Sequence, residues 1–271
     1  MIFQQTRSQL LRLNPFLKGM KVRVAELVLP KFSPVPSPKM SDKYVHVDTG
    51  RFIEAMAEEG FVPVEFQRDS ARQRDPGFVR HMVKFEQPSA KDVRSDVRPR
   101  IIFLNSHNGT TRATVGAGLI RWACFNGMII GSRVESLKTK HTGDAARDLI
   151  ERARQLARNT APLFEQIERW EKTELTEAKA LEFAARAATI RWGEDKAKGY
   201  NPIHLLHTHR PEDEGMDAWK VLNRIQENAT KGGFPGVAAN GRNISARRIT
   251  GIGLDTSFNV ALWDLAEAIT Q

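Results

Sequence analysis

Apolar and polar residues alternate along much of the first half of the chain and recur at helical spacing along the second half. Alternation is typical of a strand with one buried face, whereas a period near four residues is typical of a helix. The pattern predicts a short helix over Thr49–Glu59 that ends at Gly60. The predicted strands that follow it are 61–67, 79–86, 98–106 and two more within 111–130.

Helical spacing begins after Gly143. Pro162 predicts a bend or break there, and Thr173 or Thr176 is a candidate cap for the next helix. The later predicted segments are an irregular histidine-rich turn after Tyr200, a helix from about Asp217 to Thr230, a short strand near Arg247–Ile252 and a terminal helix over 257–269. We therefore predict an α+β fold, in which a curved antiparallel sheet in the N-terminal half is packed by helices from the C-terminal half.

Composition adds a boundary near residue 42. Residues 30–42 hold four prolines and three serines, which predicts an extended linker. We expect a basic N-terminal arm and Pro-rich linker over 1–41. A single α+β domain then covers 42–271, with strands mainly over 42–142 and helices mainly over 143–271. The helical part is also a candidate contact for a homo-oligomer, although packing over the sheet is the simpler interpretation.

The balance of charge is strongly uneven. The 271-residue chain carries a formal charge of +9, and it is 41% hydrophobic and 27% charged, which is typical of a globular protein. Residues 1–140 hold 23 Lys and Arg against 13 Asp and Glu, whereas the rest holds 18 against 19. A basic excess of this kind favours polyanions, chiefly nucleic acid.

Cysteine content and apolar runs bear on the compartment. Cys124 is the single cysteine, so no internal disulfide can form and a reducing environment is expected. No run of about 18 apolar residues is present, and the N-terminal segment lacks the continuous apolar stretch of a secretory signal. We expect a cytoplasmic protein with no membrane partner.

Basic residues near the predicted strands and near the C terminus are the candidates for contacting phosphates. They are Arg94, Arg98, Arg100, Arg112, Arg121, Arg133, Lys138, Lys140, Lys231, Arg242, Arg247 and Arg248. Phe103, Trp122 and Phe125 lie near them in sequence, and a basic sheet interleaved with aromatic residues suits single strands. The alternatives are a solvated basic surface without a ligand, and aromatic residues that belong to the core.

Two polar segments are candidates for other chemistry. The turn over 105–111, with Asn105, Ser106 and His107, follows a strand and is a candidate for contacting a phosphate backbone. A Ser–His nucleophile pair is disfavoured there, because adjacent side chains of a strand point to opposite faces. The second candidate is a zinc site formed by His204, His207 and His209. A hydrogen-bonded turn and a solvated acidic turn are the respective alternatives.

Nucleotide-binding motifs are absent from the sequence. There is no GxxxxGK[ST], and Gly251-Ile252-Gly253 does not extend to GxGxxG. We therefore expect no cofactor.

The stretch LNSHNGTTRATVGAGLIRWACFNGMII, together with the later WKVLNRIQENATKGG and FNVALWDLAEAI, resembles a phage/plasmid-like protein family of unknown function. The resemblance covers about residues 42–271. The residues that match are Asn105, Ser106, His107, Gly109, Gly118, Arg121, Cys124, Asn126, Gly127, Asn223, Glu227, Gly232, Gly233, Asn259 and Trp263. Asn108 stands where the family has Asp, which argues against a carboxylate-dependent role there. The resemblance implies a protein of mobile elements that handles DNA.

These observations predict a nucleic-acid-binding protein without enzymatic activity, which acts on single-stranded DNA in plasmid or phage maintenance, annealing or recombination. One alternative is a metal-dependent hydrolase or nuclease centred on His107 or on the three later histidines. Another is a protein-binding inhibitor of a host defence system.

Overall fold

The computed structural model describes residues 29, 32–69, 75–87, 97–121, 126–136 and 145–271. Several predictions fall outside these ranges and are untested by it. They concern the N-terminal arm up to residue 28, Arg94, Trp122, Cys124, Phe125, Lys138 and Lys140.

The described elements follow the predicted order of strands and then helices. The helices are α1 Thr49–Glu58, α2 Ala145–Arg158, α3 Ala161–Glu171, α4 Glu177–Trp192, α5 Glu194–Ala197, α6 Ala218–Lys231 and α7 Ile252–Ile269. The strands are β1 Val62–Arg68, β2 His81–Glu86, β3 Val97–Asn105, β4 Thr114–Arg121, β5 Asn126–Ser136, β6 Pro235–Val237 and β7 Asn243–Ser245. Two 3-10 turns cover Pro202–Leu206 and Pro211–Asp213.

The first five strands form one antiparallel sheet in the order β1-β2-β3-β4-β5, and the sheet does not close into a barrel. His81 of β2 faces Asn105 of β3 across this sheet. The predicted α+β class and the antiparallel sheet of the N-terminal half are confirmed. Short β6 and β7 form a separate two-stranded hairpin.

Side-chain caps and a proline mark the starts of several helices, and of the two candidate caps Thr173 and Thr176 it is Thr176 that caps α4. Asp48 caps α1 by accepting from the N–H groups of Gly50 and Arg51. Thr176 caps α4 in the same way through Lys179 N–H, and Pro162 lies in the first turn of α3, after the break that ends α2.

The strand predicted near Arg247–Ile252 is wrong. Residues 246–251 form no strand, Ile252 begins α7, and the strand lies earlier, at Asn243–Ser245. The hairpin partner β6 was missed, because Phe234, Pro235 and three nearby glycines do not alternate in the way expected of a strand.

The chain divides into two compact units. The first comprises the described residues up to Ile120 together with Arg133–Asn159. Its core is centred on Phe52 of α1, which stacks on Phe103 of β3 with ring centroids 4.0 Å apart. Leu149 of α2 belongs to the same fully buried cluster.

The second unit comprises Arg121–Ser132 and Thr160–Gln271. Its core includes Trp170 of α3 and Trp263 of α7, whose ring centroids lie 4.6 Å apart, and Phe183 of α4. Helix α6 is buried at almost every position from Ala218 to Ala229. No helix in the described part of the chain is both long and apolar enough to cross a membrane.

Candidate functional site

The Asn105–Thr111 turn lies at the end of β3 and is largely buried. Its first residues hold the segment that precedes α1: Ser37 N–H donates to the His107 carbonyl at 2.8 Å, and the Tyr44 hydroxyl donates to the Ser106 carbonyl at 2.7 Å. Only the tip, residues 109–110, is exposed. The buried polar groups of this turn therefore bind other parts of the protein.

Three side chains converge on the hydroxyl of Thr49, the first residue of α1. Its Oγ1 lies 2.7 Å from His81 Nε2 and 3.0 Å from His107 Nε2, and it accepts from Asn105 Nδ2 at 3.1 Å. His81 Nδ1 lies 2.9 Å from the Val79 carbonyl, which can only accept. Nδ1 of His81 therefore carries its proton, and Nε2 accepts the hydroxyl proton of Thr49.

This assignment also determines the state of His107. Because the single proton of Thr49 goes to His81, the contact between Thr49 and His107 requires His107 to donate from Nε2. His107 Nδ1 is then a bare lone pair, and it is buried without a hydrogen-bond partner. Both ring nitrogens of the neighbouring His46, whose ring centroid lies 4.5 Å from that of His107, are buried without partners too.

Burial keeps these imidazoles neutral. It lowers the pKa of His81 to about 4, against a smaller opposite effect of the Val79 carbonyl. Burial is the largest cause that lowers the pKa of His107, and the nearby His81 and His46 add to it, while carbonyl groups at Val47 and Gly77 oppose the shift; the net pKa is about 3. Burial is also the largest cause of the lowered pKa of His46.

A hydroxyl that donates to an oriented imidazole is the arrangement of a nucleophile and its base. Thr49 is 0% exposed and His81 is 3% exposed, so no substrate reaches this pair in the structure. Ser106 does not pair with a histidine, because its hydroxyl donates to the Thr111 carbonyl. The geometry therefore supports a structural role for the network.

The second unit contains a buried ionic network along α6. Arg210 binds Glu227 through two parallel hydrogen bonds of 2.6 and 2.7 Å, and it also pairs with Asp213. Arg121 pairs with the other oxygen of Asp213, and Lys231 pairs with Glu227. Burial raises the pKa of Glu227, but the hydrogen bonds from Arg210 and Lys231 outweigh it, so the net pKa is lowered.

The side chains of His204, His207 and His209 do not gather into a metal-binding group within the described ranges. His204 stacks on Phe234, and His209 Nε2 is 2.7 Å from Asn228 Oδ1. His207 and His209 meet edge to face, with centroids 4.8 Å apart. Among the described residues, no group of three or more His, Cys, Asp or Glu side chains is placed to hold a metal ion.

The β6–β7 hairpin lies within the most uniformly basic segment of the second unit. Residues 228–254, which we call the basic segment, contain Lys231, Arg242, Arg247 and Arg248 and no acidic residue. All four basic side chains lie on exposed residues, and the three arginines form no ion pair within the described part of the chain. Lys231 alone is engaged, with Glu227.

Aromatic rings from three segments lie beside this hairpin. Trp192, Tyr200, His204 and Phe234, which we call the aromatic cluster, are all half-buried. Trp192 and Tyr200 have ring centroids 4.5 Å apart, and both rings meet Phe234 edge to face at 5.8 Å. Sequence reasoning missed this cluster, although the pairing of glycines with aromatic residues around 199–200 and 232–236 was a usable signal.

Gly236 allows the hairpin to approach the aromatic cluster. A Cβ at this position would lie 2.5 Å from the Tyr200 ring and 2.6 Å from the Gly199 carbonyl. We expect Gly236→Ala to lower the free energy of unfolding by about 1–3 kcal/mol through overpacking, measured by urea denaturation. Gly251→Ala is the matched control, because nothing lies within 4 Å of its added Cβ and its φ is not positive. Equal stability of the two variants would contradict the close packing.

The predicted phosphate-contacting residues separate into buried and exposed groups. Arg100 is buried and bonded to Glu86 and Glu65, and Arg121 is buried against Asp213. Asn105, Ser106 and His107 are buried in the turn described above, and Arg98 is half-buried. Arg133 lies in β5. The exposed members are Arg112, Lys231, Arg242, Arg247 and Arg248.

A comparison with models of known protein families assigns this chain to a family. Residues 38–263 match the model of a domain of unknown function, DUF932. The matched residues include the Asn105–Thr111 turn, the two buried networks and the β6–β7 hairpin. The chain belongs to the DUF932 family. Membership of a family of unknown function, expected from the sequence motifs, is thereby confirmed.

Two curated relatives are similar over most of their length. The UPF0380 proteins YafZ and YfjQ of Escherichia coli K12 are each 32% identical to this chain over 241 residues. Each alignment covers 84% of the chain and 83% of the relative. No solved structure matches the chain.

Several residues that carried the resemblance lie in the interior of this DUF932 chain. Asn223 donates to the Trp219 carbonyl, and Gln226 donates to Asn259 at 3.0 Å. Gly232 has a φ of +65°, and a Cβ there would lie 2.5 Å from the Ala246 carbonyl. These positions hold α6, α7 and the hairpin together, which is a structural reason for residues of those types.

Proposed function

We propose that this protein binds nucleic acid through the basic segment, with Arg242, Arg247 and Arg248 contacting phosphates. The observation that carries the proposal is the exposure of these three arginines on a segment that lacks carboxylates. Arginine that forms no ion pair is free to make charge-assisted hydrogen bonds with phosphate oxygens. Handling of single-stranded DNA, and a place in plasmid or phage recombination, remain part of this proposal.

The hairpin is suited to hold these cations in a defined arrangement. Val237 N–H donates to the Gly199 carbonyl at 2.8 Å, and Arg191 Nη2 donates to the Arg247 carbonyl at 2.9 Å. Ile249 N–H donates to the Thr230 carbonyl at 2.8 Å. The segment is thus held at Val237 by Gly199, at Arg247 by α4 and at Ile249 by the last turn of α6, so binding orders little additional backbone.

The metal-dependent hydrolase remains a less favoured alternative. His107 is neutral and fully buried. Of the later histidines, His207 and His209 meet each other, whereas His204 stacks on Phe234. Within the part of the chain that the structure describes, neither set belongs to a group of three or more side chains placed to hold a metal ion, as a zinc site needs.

Fluorescence anisotropy with a labelled oligothymidylate of about 20 nucleotides tests the proposal with the full chain. If three arginines neutralise phosphates, affinity falls about 20-fold between about 50 and 200 mM salt. We expect Arg242→Gln, Arg247→Gln and Arg248→Gln together to lower affinity about 100-fold at about 0.1 M salt, and to reduce the slope of log K against log salt by about 2.

A charge-matched control carries Arg51→Gln, Lys172→Gln and Lys179→Gln, all at exposed positions outside residues 228–254. It retains the affinity of the unmodified protein if the basic segment is the binding surface. Equal losses in both triple variants would exclude the hairpin as the site. Absence of binding to any DNA or RNA oligonucleotide, single- or double-stranded, would exclude the proposed function itself.

A further inference from the structure

The aromatic cluster lies directly beside the proposed phosphate contacts, and its rings are not sealed inside the core. Trp192, Tyr200, His204 and Phe234 all retain part of their surface in solvent. By contrast, Trp170 and Phe183 in the same unit are at most 1% exposed. Half-exposed rings beside a basic surface are the combination by which proteins bind nucleic acid without duplex structure.

We propose that this cluster stacks unpaired bases, so that the ligand of the basic segment is a single strand and the bases contribute to binding. This inference rests on the proposed function and names the ligand class of the same site. In a duplex the faces of the bases are covered by their neighbours, so only a strand with accessible bases can use the rings.

The arrangement of the rings is suited to stacking. Phe234 and His204 are nearly parallel, at 22°, with centroids 5.4 Å apart. Trp192 and Tyr200 are tilted by 34° and approach to 4.5 Å. Rings from α4, the segment after α5, a 3-10 turn and the residue before β6 thus pack together, and each keeps part of its surface exposed.

Close packing keeps this surface in place. The missing side chain of Gly236 lets backbone approach the Tyr200 ring, and that of Gly199 leaves room for the Val237 carbonyl, which lies 2.5 Å from where a Cβ of Gly199 would be. A platform that is already ordered loses little conformational entropy when a base stacks on it.

A cation–π contact and two hydrogen bonds to backbone carbonyls link the rings to the phosphate contacts. Arg191 lies 5.4 Å from the centroid of the Trp192 ring, and it donates to the carbonyl of Arg247, one of the proposed phosphate ligands. Phe234 is bonded through its carbonyl to Ala246 N–H, immediately before Arg247 and Arg248. A strand whose phosphates reach these arginines therefore has its bases within reach of the cluster.

Comparison of two probes tests the inference: an oligothymidylate of about 20 nucleotides, and an abasic phosphodiester of equal length and charge. We expect the oligothymidylate to bind at least about 10-fold more tightly, because each stacked base adds to binding. We also expect it to quench part of the tryptophan fluorescence, while the abasic strand leaves the fluorescence unchanged. A duplex of the same length should bind more weakly than the oligothymidylate.

Two variants assign the effect to the cluster. Trp192→Phe should retain binding and lose the quenching, because phenylalanine still offers a ring face. His204→Ala should weaken oligothymidylate binding about 5-fold and leave the affinity for the abasic strand unchanged. His204 lies at the edge of the cluster and forms no side-chain hydrogen bond within the described residues, so this variant tests the inference even if Trp192→Phe perturbs the fold.

The outcomes separate the inference from the proposed function. Equal, salt-sensitive binding of the abasic strand and the oligothymidylate would overturn base stacking and leave phosphate binding intact. Equal losses for both probes in His204→Ala would show a purely structural cluster and also overturn it. If neither probe binds, both the inference and the proposed function fail.

Discussion

Lowering the pH from 7 to 5 is expected to reduce the free energy of unfolding by about 4 kcal/mol through His81 and His107. Their pKa values in the folded protein are about 4 and about 3, against 6.5 without burial. Between these values the unfolded chain binds two protons that the folded chain does not. The stability is therefore fully present above about pH 7 and is lost progressively as the pH falls.

Urea denaturation at a series of pH values, followed by circular dichroism, measures this loss. The range ends at pH 5, so that most carboxylates remain ionised in both states. Replacement of both histidines by glutamine should lower stability at pH 7 and also flatten its dependence on pH. An unchanged slope in the His81→Gln, His107→Gln double variant would show that other groups titrate. If NMR shows that the imidazole of His81 or His107 titrates near pH 6.5 in the folded protein, that residue does not cause the loss of stability.

Replacing Asp213 by asparagine should lower the free energy of unfolding by about 3–5 kcal/mol. The side chain of Asp213 is 1% exposed, and its two oxygens pair with Arg121 and Arg210. The substitution removes the carboxylate that Arg121 and Arg210 share, and it leaves Glu227 paired with Arg210 and Lys231. Breaking both ion pairs of a buried carboxylate carries most of this cost.

Asp195→Asn is the matched control, because its side chain is 97% exposed and its ion pair with Lys198 lies at the surface. It should change stability by less than about 0.5 kcal/mol. Combining Asp213→Leu with Arg121→Met should cost less than the sum of the two single changes, because the Arg121–Asp213 pair is then removed as a whole. A loss below about 1 kcal/mol for Asp213→Asn would contradict a tightly paired buried carboxylate.

Local structure was largely predictable from the residues. Alternation predicted β1 and β2, and a compact apolar run predicted β3, each within a few positions. Thr176 was one of two candidate caps for α4, and the start of α6 was predicted near Asp217. These signals act over neighbouring residues, so they are present in any window of the sequence. The β6–β7 hairpin was not predicted, because its strands have three residues each and are held by contacts with Gly199 and Arg191.

The sequence predicted the basic character of the candidate site but not the residues that form it. A basic character and a nucleic-acid partner were inferred from charge, but charge does not say which arginines remain exposed. Arg100 and Arg121 are buried beside carboxylates, and Arg121 lies 92 residues away in sequence from its partner Asp213. Pairing over such a distance depends on how the elements pack, which no local pattern encodes.

The sequence by itself determined the α+β class, the division into strands and helices, and the basic excess that favours a polyanion. The tertiary structure decided that His81 and His107 meet at Thr49, 32 and 58 residues away in sequence. It also decided that exposed arginines and half-buried rings lie together beside one hairpin. Secondary structure follows from interactions between near neighbours, whereas burial and the grouping of distant side chains follow from packing, which only the folded chain establishes.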